Sequence, residues 1–170
     1  MKIQEEQALR SQIVALIPRL RRFALGLTRN GPEADDVVQM ALERAIGKLS
    51  QFQPGTRLEA WMFRIVKTTW LDDRRRLARR PAENNEAAIN GFAGDCLAQT
   101  DVLDLRADIA RALTTLNDDQ RAVVLLVLVE GQSYDEASEI LGVPVGTVMS
   151  RLSRARMALV QALSEQGVRP

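Results

Sequence analysis

The chain has 170 residues, 46% of them hydrophobic, with 23 Lys and Arg against 22 Asp and Glu. That is enough apolar material for the core of one ordinary domain or two small ones. One cysteine and no histidine exclude an internal disulfide, a histidine-bearing zinc site and any Ser-His or Cys-His catalytic pair.

The near-neutral total hides a division. Residues 1–80 carry 16 basic against 9 acidic side chains, whereas residues 101–170 carry 7 against 10. Such asymmetry points the N-terminal part toward a polyanion, although arginines that merely solvate helix faces would give the same count. No apolar run approaches the roughly 20 residues of a membrane span, and "MKIQEEQALR" is polar where a leader would be apolar. A cytoplasmic protein without membrane insertion is expected.

Apolar residues recur at helical spacing through Ile13, Leu16, Ile17, Leu20, Phe23, Ala24 and Leu27, then through Val37, Val38, Ala41, Leu42, Ala45, Ile46 and Leu49. Between these two amphipathic helices, Pro32 suits a first helical turn and the following acids suit its positive end. Pro54 and Gly55 break the pattern. Thr56 and Glu59 then stand in capping-box register for a third helix, "LEAWMFRIVKTTWLDDRRR", whose end is strongly basic.

From Ala78 to Thr100 periodicity fades, and the segment reads as a linker. Fully extended, it would span up to roughly 75 Å, so the parts it joins need not touch. Cys96 within it reads as incidental. A helix follows with Leu103, Ile109, Leu113 and Leu116 on one side. Asn117 with Gln120 opens the next, and its apolar run ends at Gly131 as a C-cap. Ser133 and Glu136 form a further capping box.

The segment "LGVPVGTVMSRLSRARMAL" supplies the short Gly-containing turn of a helix-turn-helix, between helices at about 133–141 and 145–159. Val145, Val148, Leu152, Ala155 and Leu159 would face the core. Thr147, Ser150, Arg151, Ser153, Arg154 and Arg156 would face outward, the chemistry of base-edge and phosphate contacts in duplex DNA. A plain amphipathic surface helix has the same periodicity.

"LTTLNDDQRAVVLLVLVEGQSYDEASEILGVPVGTVMSRLSRARMAL" resembles region 4 of the bacterial sigma-70 family, in its extracytoplasmic-function group. "ADDVVQMALERAIGKLSQFQPGTRLEAWMFRIVKTTWLDDRRR" resembles region 2 of that group. The resemblance covers nearly the whole chain. It implies an all-α fold of two small helical domains: region 2 over 8–77, a linker over 78–100 and region 4 over 101–165.

It implies further that region 2 docks on core RNA polymerase and opens the promoter −10 element, while region 4 reads the −35 element. Asp35, Asp36 and Gln39 match the polymerase-binding helix, although by composition alone the acids would simply cap it. The −10 contacts fall on Phe52, Arg57, Arg64, Lys67, Thr68, Arg74, Arg75 and Arg76, with the base-capturing loop at roughly 51–57. Asp72 and Arg75 match a family Asp-x-x-Arg pattern that reads equally well as an internal structural pair. The −35 contacts fall on Thr147, Met149, Ser150, Arg151, Ser153, Arg154 and Arg156. Three positions depart from the family: Met149 stands where Lys or Arg is common, Thr68 where Asn is frequent, and Met40 where Glu is usual.

The expected partners are core RNA polymerase, promoter DNA and an anti-sigma factor, with no cofactor, no metal, no catalytic residue and no small-molecule substrate. The alternatives are a sigma-like decoy that occupies an anti-sigma factor without binding DNA, and a dimeric helix-turn-helix repressor, which would leave residues 31–76 without a role.

Overall fold

The computed structural model describes residues 3–53, 55–79 and 109–165, and all regular structure among them is helical. The linker and the positions Cys96 and Leu103 lie outside the described residues. Helices α1 (Ile3–Thr28), α2 (Gly31–Gly47) and α3 (Leu58–Ala78) form the N-terminal bundle, with a 3-10 turn at Leu49–Gln51. The C-terminal bundle contains α4 (residues 109–114), α5 (Asp118–Val124), α6 (Tyr134–Leu141) and α7 (Val145–Glu165).

The helix starts follow from local chemistry. Asn30 accepts from Glu33 N, with Pro32 in the first turn of α2. Asn117 with Gln120 and Ser133 with Glu136 both close reciprocal capping boxes. The expected box at α3 does not form. Thr56 Oγ1 donates to Gln53 O instead, and the Glu59 carboxylate is drawn to Arg19 at 2.8 Å and to Gln132. A charge pair across the fold has displaced a local cap.

Two helix ends turn on glycine. Gly142 follows α6 at φ +67° and Gly131 stands at φ +70°, both in the left-handed region where a Cβ is costly. Before Gly131, α5 runs into a π-helical turn at Leu125–Val129, marked by Glu130 N donating to Leu125 O at 2.9 Å. The wider turn carries one extra residue.

In the N-terminal bundle Phe23 meets Phe63 edge to face at 5.2 Å between ring centroids, beside buried Leu20, Leu27, Val37, Met62 and Val66. In the C-terminal bundle Val148, Leu152 and Ala155 of α7 pack beneath α5 and α6 as the periodicity predicts, while Ile109, expected on the core side, is 44% exposed. The modules do touch. One continuous buried cluster runs from Phe23 and Trp70 through Leu125, Leu126 and Ile140 to Leu152.

Candidate nucleic-acid interface

The α6–turn–α7 unit is built as expected. Ser138 Oγ donates to Val143 O at 2.6 Å and Gly142 N donates to Ser138 O at 2.8 Å, so the turn is bonded at both ends. Outward from it, Met149, Ser150, Ser153, Arg154 and Arg156 are exposed and Thr147 is half-buried. Arg151 differs from Arg154: its guanidinium turns to Asp119 Oδ2 at 2.7 Å, and only 25% of the side chain remains exposed.

The second basic surface lies along α3. Arg64 and Thr68 are exposed, and Thr68 Oγ1 donates back to Arg64 O. Arg75 and Arg76 reach Asp72 at 4.0 Å and Asp73 at 2.7 Å, and with Arg79 they line an open depression. Asp72 has a nearer partner in Arg44, at 2.8 Å, so the Asp-x-x-Arg pair is the weaker of its two contacts.

Three other cations of this surface meet the C-terminal bundle. Arg57 pairs with Glu136, Arg74 pairs with Asp118, and Lys67 Nζ donates to Leu141 O at 3.0 Å. Burial pushes the Lys67 ammonium below its ordinary range, and nearby Arg151 adds to the effect against the opposing pull of Asp119. Phe52, which the resemblance assigns to the −10 contacts, is 8% exposed, with its ring 5.3 Å from that of Trp61. An aromatic beside an apolar partner gains more from burial than from standing in water.

Beneath these contacts lies a buried polar cluster that sequence reasoning missed. The Glu130 side chain is 0% exposed, held by Arg19 Nε at 3.0 Å and Arg22 Nε at 2.7 Å. Its hydrogen bond raises the pKa of Arg22 above the ordinary value. Arg121, also buried, donates to Leu113 O, Leu116 O and Leu27 O, and burial lowers its pKa to about 10. The only sequence signal was a glutamate closing a long apolar run, "VVLLVLVEG", a place where burial is expected and a partner is therefore required. On the far side of the N-terminal bundle, Asp35, Asp36 and Gln39 are all exposed, and Asp35 pairs with Arg21 at 2.6 Å.

Residues 106–159 match the family described as Sigma-70, region 4, and residues 13–67 match the Sigma2 domain of PhyR. The chain is 38% identical over 160 residues to the ECF RNA polymerase sigma factor EcfG of Rhodopseudomonas palustris, covering 94% of this chain and 87% of that one. It belongs to the extracytoplasmic-function sigma factors of the sigma-70 family.

The N-terminal bundle is thus sigma region 2, and the C-terminal bundle is region 4. Among solved structures, the sigma factor RpoE of Bartonella quintana, in complex with the anti-sigma factor NepR, superposes with a TM-score of 0.77. The two are 32% identical, covering 93% of this chain and 98% of that one. CnrH, in complex with the cytosolic domain of CnrY, gives a TM-score of 0.70 at 26% identity, covering 94% and 89%. Among the described residues of this sigma factor, no helix is long and apolar enough to cross a membrane.

Proposed function

We propose that this sigma factor is a promoter-specificity subunit. Region 2, over residues 8–77, docks on core RNA polymerase through Asp35, Asp36 and Gln39 and opens the −10 element along α3. Region 4, over residues 101–165, reads the −35 element through the outward face of α7. The polymerase supplies all the chemistry. The observation that carries this reading is the α7 face, on which Ser150, Ser153, Arg154 and Arg156 stand exposed on a helix anchored by buried Val148, Leu152 and Ala155. Short hydroxyls permit close approach to a groove, and guanidiniums bind guanine edges or phosphates bidentately. An anti-sigma factor is the expected regulator, since the relative RpoE is solved with the anti-sigma factor NepR bound.

The test is transcription by core polymerase given the purified protein, with sequencing of the transcript ends. A restricted promoter set is expected, and the same transcripts from core alone would reject the reading. One observation favours a second reading, the decoy: residues 13–67 match the Sigma2 domain of PhyR, and a PhyR is solved as an anti-anti-sigma factor in complex with the anti-sigma factor NepR. A decoy binds an anti-sigma factor yet directs no promoter output. Alanine at Arg151 and Arg154 separates the two, since a sigma factor loses promoter output while keeping inhibitor binding.

A further inference from the structure

The proposed function gives Asp35, Asp36 and Gln39 of α2 to core RNA polymerase, and the three are not equivalent. The Asp35 carboxylate is already held by Arg21 of α1, whose Nε donates to Oδ1 at 2.6 Å and whose Nη2 donates to Oδ2 at 3.4 Å. A two-pronged pair of this kind occupies both oxygens. Asp36 is exposed and, among the described residues, takes part in no ion pair. The next acid that the family pattern would supply is missing, because Met40 stands where Glu is usual. The Met40 side chain lies partly buried against the core of region 2 and brings no charge.

A carboxylate reappears one turn further along the helix. Glu43 is exposed and, among the described residues, in no ion pair. Gln39 Nε2 donates to Glu43 Oε1 at 3.3 Å, so the amide steadies the carboxylate. The cation next in sequence does not neutralise it, since Arg44 is turned to α3, donating to Asp72 Oδ2 at 2.8 Å and to Thr69 Oγ1 at 3.3 Å. Asp36 and Glu43 are seven positions apart, two turns less about 20°, so they share one stripe of α2 and stand about 10 Å apart along its axis. Gln39 and Met40 lie between them, and Ile46, 47% exposed, stands just beyond.

We propose that Glu43 is a docking residue for core RNA polymerase, supplying from the next turn the charge that is absent at Met40. This inference rests on the assignment of this face of α2 to the polymerase. Two unpaired carboxylates with a thioether between them and an isoleucine at the end fit a basic partner surface. The cationic heads of its arginines or lysines meet Asp36 and Glu43, and their methylene stems lie on Met40 and Ile46. Moving an acid from position 40 to 43 displaces it by about 4.5 Å along the axis, a distance that a long cationic side chain follows by changing rotamer.

The experiment uses the full chain and purified core polymerase, with displacement of fluorescently labelled wild-type protein measured at several salt concentrations. Glu43→Gln removes the charge and keeps an oxygen for Gln39. It is expected to weaken core binding about tenfold and to flatten its salt dependence, at an unchanged melting temperature. Adding Met40→Glu to that variant should return the affinity to within about threefold of wild type, a rescue that the loss of a merely structural contact would not permit. Asp36→Asn is measured alongside. Wild-type affinity in Glu43→Gln while Asp36→Asn is weakened overturns the inference alone, as does a loss that Met40→Glu leaves unrepaired. Wild-type affinity in both single variants overturns the assignment of this face to the polymerase, and the inference with it.

Discussion

The α3 face and the α7 face are both helical, both basic and both assigned to promoter DNA, yet one is covered by its own chain and the other stands open. Along α3, the cations Arg57, Lys67 and Arg74 are taken up by region 4, whereas on α7 Arg154 and Arg156 remain exposed and only Arg151 is diverted, to Asp119. The difference follows from the charge division of the chain. An N-terminal part rich in arginine and a C-terminal part with an excess of acids attract one another wherever the linker lets them meet. Arg154 and Arg156 sit on the side of α7 opposite Val148, Leu152 and Ala155. A surface of the right chemistry is thus not yet an available surface.

The comparison breaks most severely at Glu130. Glu130→Ala leaves Arg19 and Arg22 facing an emptied site, and because both arginines are partly exposed and can turn to water, the loss should be about 2–3 kcal/mol, below the full value for a buried pair. Urea unfolding should show a lower midpoint at unchanged slope. Gly26→Ala drives a methyl into Leu125 and should cost about 1–3 kcal/mol. A double-mutant cycle with Leu125→Ala should then show strong coupling, and additivity would mean that the modules do not meet there.

Smaller effects sharpen the contrast between the two arginines of α7. Arg151→Ala should lower stability by less than about 1 kcal/mol, because its partner Asp119 is well exposed, and Arg154→Ala should change it by under about 0.5 kcal/mol. Both should reduce −35 occupancy in a holoenzyme footprint. The smallest effect belongs to Met149, whose exposed thioether offers no strong hydrogen bond and suits a thymine methyl. Replacing thymine by deoxyuridine at the contacted −35 position should weaken wild-type binding about threefold and leave Met149→Ala unaffected.

Much of this molecule was legible in its sequence because much of it is local. The box at Ser133 and Glu136, the left-handed Gly142 and the buried stripe from Val148 to Ala155 each depend on residues within a few positions of one another. The family pattern then placed the candidate contacts. What stayed hidden depends on pairs far apart in the chain. Arg22 and Glu130 are separated by 108 positions, and no spacing rule anticipates their meeting. For the same reason Glu59 read as a cap until Arg19 and Gln132 were seen to claim it. The burial of Phe52 was hidden likewise, since it depends on its neighbour in space, Trp61.

The widened turn at Leu125–Val129 lies inside region 4, between α5 and the Glu130 corner that meets α1. Removing one of its residues would restore ordinary winding and rotate everything beyond it by about 100°. The carboxylate of Glu130 would then swing away from α1, and α7 would be aimed in a new direction. A single surplus amino acid in an otherwise plain apolar run thereby sets how region 4 presents Glu130 to Arg19 and Arg22.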